Sequence, residues 1–575
     1  MAVESLITEH LDIWTSAIKT KSAAGRGSSK KLELVGVKKL RELILELAVR
    51  GKLVPQDPND EPAIELLKKA SANKDSLIKE GLLKPSRSKK KIKEEHFYKY
   101  PSTWVTANIG DLMNVVNGRA YKKHEMLSEG TPLLRVGNLF TSNEWYYSDI
   151  ELGPEKYIDD GDLIYAWSAS FGPFIWDGGK VIYHYHIWKM DIFSGECLSK
   201  HFSKLFLQAI SERIKASGNG IAMIHMTKER MEKVMHPIPP LNEQHRIVAK
   251  VDELMALCDQ LEAQIESSID AHKTLVEVLL ATLTDAKDAD ELNDNWQTIS
   301  QHFNVLFTTQ ASIDQLKQTI LQLAVMGKLV KQDPFDEPAS KLLERIATEK
   351  QQLIKDGKIK KQKPLPPITD EEKTFELPSG WEWAYLNSLL PQFQNGASSR
   401  GDKDGKDVIV LRLADIKNWK ISLNDTRTLE IAEETIKRYS LKKGDVLIIR
   451  VNGSADIVGR FITCESDLDT IYCDHFIRMN FPIECLFSPY LSLLGSSDLI
   501  RSRIANLFVS TAGQKTVNQT HIGTLPISLP PLAEQQRIVV KVDELLALCD
   551  SLKANLNQAQ TTQLHLTGAI VEQTL

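Results

Sequence analysis

The sequence predicts an α+β protein in which two α/β domains are separated by long antiparallel coiled-coil helix pairs. Two duplicated blocks predict this class: residues 31–70 return as 307–346, and residues 239–259 return as 530–550. The stretches between the blocks differ almost completely. The period is far too long for a solenoid, so it indicates a tandem duplication of one frame around two different domains. The expected arrangement is a pseudo-twofold circle.

Composition sets broad limits on the function. The chain has 575 residues, enough for several domains, and a net charge of −5, so any contact with nucleic acid must depend on local patches. Six cysteines show no CxxC pair and no metal-ligand spacing, which is typical of reduced core thiols. We expect a cytoplasmic protein with no membrane segment and no signal peptide, because no apolar run approaches about 18 residues.

Each copy of the frame begins with a short amphipathic helix. Apolar residues recur at helical spacing in the first block and in its copy. Gly51 and Gly327 follow the apolar stripe and predict the helix ends. The stripe consists of Val37, Leu40, Ile44 and Leu47 in the first copy and of Ile313, Leu316, Ile320 and Leu323 in the second.

Each copy of the frame ends with a long helix. After residues 239–240 the apolar positions alternate in steps of four and three, the heptad pattern of a coiled coil. The seam at 247–279 corresponds to about 50 Å of helix. One DNA turn is roughly 34–36 Å, so the length suits a ruler between two half-sites. The predicted seam is Ile247, Val251, Leu254, Cys258, Leu261, Ile265, Ser268, His272, Leu275 and Leu279, copied as Ile538, Val542, Leu545, Cys549, Leu552, Leu556, Ala559, Gln563, Leu566 and Ile570.

Chain order predicts which helices pair. An acidic stretch at 284–295 predicts a linker, across which the first long helix folds back on the second short helix. The first short helix and the last long helix, from opposite chain ends, then pair with each other. The predicted domains are a helical region with a basic linker (1–99), a first variable domain (100–239), a central helical region (240–376), a second variable domain (377–530) and a C-terminal long helix (531–575). A Gly/Ser-rich stretch at 22–29 predicts a flexible connector.

The two variable domains, here called the first head (100–239) and the second head (377–530), share signals in the same order. Each has a Pro-Ser…Trp entry, an Asn-Gly pair, a strand-like Leu-Arg segment and a Gly-Asp pair before an apolar run. The loops between these signals carry different side chains. This pattern is expected of two related modules that recognise different sequences.

Loop residues of the heads are candidate DNA contacts. Arginine can bridge guanine O6 and N7, asparagine and glutamine can bridge adenine, and serine suits either. Cations near each Asn-Gly pair suit phosphates, although a solvated surface charge is an equally good interpretation: Arg119, Lys122 and Lys123 in the first head, Arg400 and Lys403 in the second. The other candidates are Arg135, Asn138, Ser168, Ser170, Asn219 and His225 in the first head, and Arg412, Arg450, Asn452, Ser454, Gln514, Lys515 and Asn518 in the second. The basic connector at 84–99 is either a non-specific phosphate contact or a solvated linker.

Signatures of catalysis are missing from the sequence. It contains no GxxxxGKS/T, no GxGxxG, no HExxH, no Asn/Asp-Pro-Pro-Tyr/Phe and no convincing metal cluster. His184, His186 and His475 are typical of structural histidines. The acidic residues at 57–61 are typical of a turn with a helix N-cap. A self-sufficient methyltransferase or nuclease is therefore disfavoured, and a coiled-coil scaffold that recognises no DNA sequence remains the alternative.

Two variable heads alternating with repeated helical blocks, and Pro-Pro-Leu-x-Glu-Gln at 239–244 and 530–535, closely resemble the DNA-specificity subunit of type I restriction-modification enzymes. The resemblance spans nearly the whole chain. The Leu-Ala-Val-x-Gly-Lys-Leu-Val segments at 47–54 and 323–330 look most like the type IB subfamily.

The resemblance implies a division of labour. Each head would be a target-recognition domain for one half of a bipartite, asymmetric double-stranded DNA site. The helices would set the spacing and dock two methyltransferase subunits, which would methylate adenine N6 with S-adenosylmethionine. Restriction subunits, with ATP and Mg²⁺, would cleave unmethylated DNA in phage defence. The chain itself would be non-catalytic and would bind no cofactor and no metal.

Overall fold

A computed structural model describes residues 3–21, 31–83, 98–168, 170–217, 227–359, 364–397, 405–481, 486–511 and 513–575. The predicted Gly/Ser connector and nearly all of the basic connector lie outside these residues. The chain divides into two compact units. Unit 1 contains Met1–Ser268 and Ala559–Leu575, and unit 2 contains Ile269–Gln558. Both units mix helices and strands and both include parts of long helices, so the predicted α+β class is confirmed. None of the described helices combines the length and apolarity needed to cross a bilayer.

The helical frame has the predicted elements in both units. In unit 1 the first short helix is Val35–Val49, and Gly51 follows it with a φ of 69°. A side chain at Gly51 would be strained by this left-handed conformation and would also clash with Trp104. The other frame helices are Val3–Glu9, Leu11–Ser16, Ala63–Lys79, Leu241–Asp285, Ala289–Gln301, Phe303–Leu306, Gln310–Val325 (the second short helix), Ala339–Lys355 and Leu532–Thr574, and a hairpin pairs Ile18–Lys21 with Lys31–Leu34.

The predicted acidic linker is wrong for most of its length. The first long helix continues to Asp285, and a new helix begins at Ala289. Asp288 caps this helix, because its carboxylate accepts the N–H of Glu291 at 2.8 Å. Acidic side chains here accept N–H groups at the helix N-terminus and interact favourably with the positive end of the helix dipole. The number of acidic residues alone does not distinguish this role from that of a linker.

The first short helix contacts both long helices. Arg41 binds Asp259, in the N-terminal half of the first long helix, at 2.6 Å. Just beyond the short helix, Arg50 donates to the carbonyl oxygen of Leu575, at the end of the second long helix, at 2.9 Å.

The second short helix has the same two neighbours in reverse. Asp314 binds Lys553 of the second long helix at 2.8 Å, and Gln315 donates to Glu277 of the first long helix at 2.9 Å. The pairing predicted from chain order is therefore confirmed for the far end of each long helix. It missed the contact between the near half of each long helix and the short helix of its own repeat.

The buried face of each long helix shifts by one residue near the middle. Up to Ile265 the predicted seam is buried or half-buried, but Leu275 is 49% exposed and Val276 only 1%. The copy shifts at the same place, with Leu566 42% and Thr567 1% exposed. A strict heptad is therefore wrong beyond this point, where the buried side of each helix moves by one residue. The predicted seam residues Ser268 and Ala559 are likewise exposed. The shift occurs where each helix passes from one unit to the other.

A buried glutamate attaches the first head to the start of its long helix. Glu243 accepts the indole N–H of Trp104 at 3.1 Å and the amide of Gln56 at 2.6 Å. Burial raises the pKa of Glu243, against the opposing effect of these two donors. The next residue, Gln244, accepts the backbone N–H of Ser199 at 2.7 Å, and its own amide donates to backbone carbonyls.

The second repeat has the same junction. Glu534 accepts the indole N–H of Trp381 at 3.0 Å, and Gln535 accepts the backbone N–H of Phe487 at 2.8 Å. In both repeats, each side chain of the Glu-Gln pair accepts a hydrogen bond from a buried donor, which explains why the pair is present in both copies.

Each head is built from small, mainly antiparallel sheets closed by a two-stranded ladder. In the first head one sheet has the order Met113–Asn117, Ile187–Ile192, Leu163–Ser168, Ser170–Ile175; a second has the order Tyr146–Ser148, Thr131–Leu134, Val181–Tyr183, Tyr157–Ile158; and Val105–Asn108 pairs with Met235–Ile238. Its helices are Ile109–Leu112, Val136–Phe140, Lys200–Ser217 and Lys228–Glu232, with 3₁₀ turns at Lys123–Glu125 and Pro154–Lys156.

The second head repeats this plan. One sheet has the order Gln392–Asn395, Phe476–Asn480, Val446–Ile449, Phe461–Thr463; a second has the order Thr428–Ile431, Lys406–Leu411, Thr470–Tyr472; and Glu382–Tyr385 pairs with Pro526–Leu529. Smaller sheets join Ile416–Lys417 to Lys420–Ile421, and Val451–Asn452 to Gln514–Thr516 and Val509–Thr511. Its helices are Glu433–Tyr439, Ser488–Ser496, Asp498–Leu507 and Gln519–Gly523, with 3₁₀ turns at Leu386–Leu389 and Leu413–Asp415.

Candidate nucleic-acid interface

The Asn-Gly pairs position a turn at the same place in each head. In the first head, Gly118 lies so close to the start of the turn at His184 that an added Cβ would be 2.4 Å from the backbone oxygens of Tyr183 and His184. Gly396 approaches the equivalent turn, which begins at Cys473, as closely. Each turn also contacts the strand that leads into the Leu-Arg segment. The backbone N–H of His184 donates to the carbonyl of Leu134 at 2.9 Å, and that of Cys473 donates to the carbonyl of Leu411 at 3.0 Å. Glycine is therefore required for close backbone approach.

The Leu-Arg segments contain a capping motif. The backbone N–H of Arg135 donates to the side chain of Asn138 at 3.1 Å, and that of Arg412 donates to Asp415 at 2.7 Å. The amide of Asn138 also donates to the carbonyl of Glu144 at 2.8 Å. Asn138 thus has both of its polar groups engaged within the head, so its predicted contact with a base would require it to exchange these bonds.

Arg119 has an intramolecular carboxylate partner. Its guanidinium binds Glu125 at 2.6 Å and lies over the ring of Tyr121, 5.1 Å from the ring centroid. The pKa of Glu125 is lowered, first by the backbone N–H of Lys122 and then by Arg119. Lys122 and Lys123 are exposed beside this pair and are the cations of the segment best placed for phosphates.

An aromatic turn in the first head was not among the predicted contacts. Residues 184–186 lie between the segments that contain Arg119 and Arg135, since Tyr185 donates to the carbonyl of Arg119 at 3.0 Å and His184 donates to that of Leu134 at 2.9 Å. Tyr185 is exposed, and its ring centroid is 3.9 Å from that of His186. Burial lowers the pKa of His184 to about 4, helped by the charges of His186 and Arg135, so His184 is neutral at physiological pH. The His-Tyr-His sequence was visible, but nothing in it showed that two arginine segments flank it.

The second head brings candidate residues from two distant segments together. Asn452 pairs with Lys515 in the small three-stranded sheet. The ammonium of Lys515 donates to the carbonyl of Gly453 at 3.1 Å, and Val517 donates to the carbonyl of Arg450 at 3.0 Å. The residues that this sheet brings together are Arg450, Asn452, Ser454, Gln514 and Lys515. We call this group the second-head patch.

The remaining candidates are distributed differently. Asn518 caps the helix Gln519–Gly523 by accepting the N–H of His521 at 2.8 Å. Arg412 is paired with Asp415 at 3.0 Å. Ser168 ends a strand that pairs directly with the strand of Ser170. Asn219, His225, Arg400 and Lys403 lie outside the described residues.

One group of side chains among the described residues has metal-ligand composition. The ligand atoms of Cys473, Asp474 and His475 lie within 4.8 Å of one another. Burial raises the pKa of the Cys473 thiol, which favours its protonated form, whereas the thiolate is the form that binds metals. The group therefore gives little support to a metal site.

Comparison with known proteins identifies the two heads. The family model described as "Type I restriction modification DNA specificity domain" matches residues 101–271 and 378–560. The chain belongs to this family. Its two matched segments end close to residues 268 and 558, where each long helix passes into the other unit.

Curated relatives match the chain over its full length. The EcoEI specificity subunit from Escherichia coli is 39% identical over 603 residues, covering 100% of both chains. The EcoAI specificity subunit from Escherichia coli is 39% identical over 600 residues, covering 100% of this chain and 99% of the relative. A crystal structure of the HsdS subunit from Thermoanaerobacter tengcongensis covers 84% of this chain and 99% of its own, at 17% identity and a TM-score of 0.42.

Family membership makes the chain the DNA sequence-specificity subunit of a type I restriction-modification system. It is the component that recognises DNA rather than a catalytic one. Membership also implies DNA and the methyltransferase and restriction subunits as partners in general.

Proposed function

We propose that the chain recognises a bipartite, asymmetric DNA sequence, with one half contacted by each head and an uncontacted spacer between them. The finer assignment to the type IB subfamily is part of this proposal. It is supported by the Leu-Ala-Val-x-Gly-Lys-Leu-Val segments at 47–54 and 323–330.

One observation carries this proposal: the heads share a hydrogen-bonded scaffold but differ in the side chains that it presents. The glycine, the turn and the capped arginine recur at equivalent places in both heads. The turn itself is His-Tyr-His in the first head and Cys-Asp-His in the second. Backbone and phosphate contacts position a protein on DNA, whereas side chains at base edges select the sequence. A common scaffold with different side chains therefore fits two modules that recognise different half-sites.

The long helices suit the role of spacer. Leu241–Asp285 and Leu532–Thr574 have 45 and 43 residues. Each corresponds to about 65 Å of helix, nearly two turns of B-DNA.

Partner subunits would supply the chemistry. Two methyltransferase subunits would dock on the helices, flip the target adenine out of the duplex and methylate N6 with bound S-adenosylmethionine. Restriction subunits would use ATP and Mg²⁺ to cleave unmethylated DNA. In this proposal the present chain binds none of these cofactors and functions in the cytoplasm, where the DNA and its partners are found.

Methylome sequencing tests the proposal directly. Cells that express the chain with its adjacent methyltransferase are compared with cells that express the methyltransferase alone. The expected result is a new split motif of N6-methyladenine that depends on the chain. If the complex assembles and no such motif forms, the heads do not recognise DNA as proposed and the scaffold alternative gains support. Exchange of the second head should alter one half of the motif and leave the other half unchanged.

A further inference from the structure

Trp167 and Arg450 occupy the same position in the two heads. Trp167 directly follows Ala166, which pairs with Ile187, and Arg450 directly follows Ile449, which pairs with Phe476. These are the last residue pairs of the two equivalent strand ladders. The backbone N–H of Trp167 donates to the carbonyl of His186 at 3.1 Å, and that of Arg450 donates to the carbonyl of His475 at 2.7 Å. The same backbone site therefore presents an indole in one head and a guanidinium in the other.

The chain paths diverge directly after this position. In the first head the strand turns back at once, since Ser168 pairs with Ser170. In the second head the chain continues into Asn452, which pairs with Lys515. Trp167 and Arg450 are thus the last residues on the common scaffold before the loops differ, and both adjoin the turns described above.

Trp167 presents an apolar surface. Its ring stacks on Trp188 at 5.6 Å, and Trp188 stacks on Tyr165 at 5.9 Å. The rings of Trp188 and Tyr165 are fully buried, whereas Trp167 is half-buried. Its indole N–H donates to the carbonyl of Tyr185 at 3.0 Å. The ring therefore has no second donor to offer a base edge, and apolar contact is its remaining means of recognition.

Arg450 presents hydrogen-bond donors. Its guanidinium makes one long bond, at 3.4 Å, to the carbonyl of Asp474. Within the described residues no carboxylate pairs with Arg450, whereas Arg412 of the same head is paired with Asp415. Arg450 also adjoins Asn452 and Lys515 in the second-head patch. A half-buried guanidinium with several donors to spare matches the two acceptors of guanine in the major groove.

We infer that Trp167 and Arg450 are specificity-determining residues of the two heads, Trp167 for a thymine methyl group and Arg450 for guanine. The inference rests on the proposed function, since it assumes that both heads contact DNA bases. Each residue governs one base pair of the half-site contacted by its own head. Apolar contact with the thymine methyl group and bidentate pairing with guanine are the recognition modes that these two side chains provide.

The test uses the chain assembled with its methyltransferase, acting on a library of DNA sites randomised in both halves. The variants are Arg450→Gln, Arg450→Lys, Trp167→Leu and Trp167→Phe, with Lys437→Gln as a matched loss of an exposed charge in the second head. Arg450→Lys keeps the charge but loses the planar fork, so it should bind DNA and yet fail to select guanine. Thermal unfolding of each complex controls for folding, and the milder Lys and Phe variants remain informative if the others do not assemble.

For the Arg450 variants we expect a loss of discrimination at one G·C position of about tenfold or more, with the other half-site unchanged. Loss of one methyl contact corresponds to about fourfold, the change expected at one A·T position for Trp167→Leu. Trp167→Phe should show a smaller loss at the same position, and Lys437→Gln should leave the motif unchanged. If the native chain gives a split motif and the assembled Arg450 and Trp167 variants keep it, this inference fails while the proposed function stands. The same conclusion follows if one substitution alters both halves of the motif. If the native complex gives no motif, the proposed function itself fails.

Discussion

The indole N–H of Trp381 donates a 3.0 Å hydrogen bond to the buried carboxylate of Glu534 and so ties the second head to the first turn of its long helix. Trp104 and Glu243 make the same bond, at 3.1 Å, in the first repeat. These two bonds determine where each head departs from the helical frame. Their residues are therefore expected to affect stability before they affect recognition.

Glu534 should make stability depend on pH in the direction opposite to an ordinary surface carboxylate. Burial raises its folded-state pKa above the usual 4.5, so the folded state binds a proton that the unfolded state has released. Its contribution is fully present below about pH 4.5 and is lost as pH rises through the folded pKa. Glu534→Gln stays neutral and should therefore gain in Tm relative to the native protein as pH rises from 4.5 to 8. Glu544→Gln, exposed on the same helix, is the control, and a pH-independent difference for Glu534→Gln would refute the argument.

The pair of Arg246 and Asp60 should contribute more than a surface ion pair. The carboxylate of Asp60 is only 4% exposed and binds Arg246 at 2.7 Å, and this hydrogen bond lowers the pKa of Asp60. Its contribution is present above the unfolded value of 3.8 and is lost as pH falls through the folded pKa. Arg246→Ala should cost about 1–3 kcal/mol of stability at pH 7. Lys250→Ala, which breaks a surface pair, should cost about 1 kcal/mol or less, and equal costs in chemical denaturation would contradict the prediction.

The shift in the long-helix face predicts unequal effects of two leucines on one helix. Leu280 is 4% exposed and Leu275 is 49% exposed. Leu280→Ala should destabilise unit 2 by about 2–5 kcal/mol, because it empties a core site. Leu275→Ala should change stability by no more than about 0.5 kcal/mol in the isolated chain. Urea unfolding measures the stability of both variants. A larger loss of stability for Leu275→Ala than for Leu280→Ala would support the strict heptad instead of the shifted face.

Gly118→Ala should damage the first head selectively. The new methyl group would lie 2.4 Å from backbone oxygens of Tyr183 and His184, so the turn would have to move. We expect a loss of about 1–3 kcal/mol in stability and weaker methylation that depends on the first half-site. Gly195→Ala is the matched control, because nothing lies within 4 Å of its added Cβ. Recognition that stays intact while the turn moves would show that this turn is not part of the interface.

Shortening both long helices by one heptad tests the ruler. Seven residues correspond to about 10 Å of helix, or about three base pairs of DNA. The methylated motif should then have a shorter spacer, or binding should be lost because no spacer fits. If the shortened chain assembles with its methyltransferase and the spacer is unchanged, the helices do not set the distance.

The helical frame could be predicted from the sequence because its signals are local and occur in both repeats. The stripe of Leu40 and Ile44 and the glycine after it determine a helix and its end without reference to distant residues. The shift beyond Ile265 could not be predicted in this way. Which side of a long helix is buried depends on its neighbours, and those change where the helix enters the other unit.

The candidate interface was predicted less completely for a different reason. Lys515 meets Asn452 through strand pairing between segments far apart in the chain, and no local pattern encodes that register. The side-chain amide of Asn138 could contact a base, but in the structure it caps a short helix. This local use of the amide competes with contact to a base. Trp167 was missed because an aromatic residue in a strand is usually part of the core. Only the equivalence with Arg450 sets Trp167 apart from a core residue.

The division of the chain into units has a consequence for its synthesis. Unit 2 is a single continuous segment, whereas unit 1 needs residues 559–575 to be complete. Chains emerge from the ribosome N-terminus first, and domains generally fold as units. The half that is translated first must therefore wait for the final turns of the last helix, and the half that is translated second can mature before it. Until residues 559–575 have been translated, unit 1 lacks the segment that completes it.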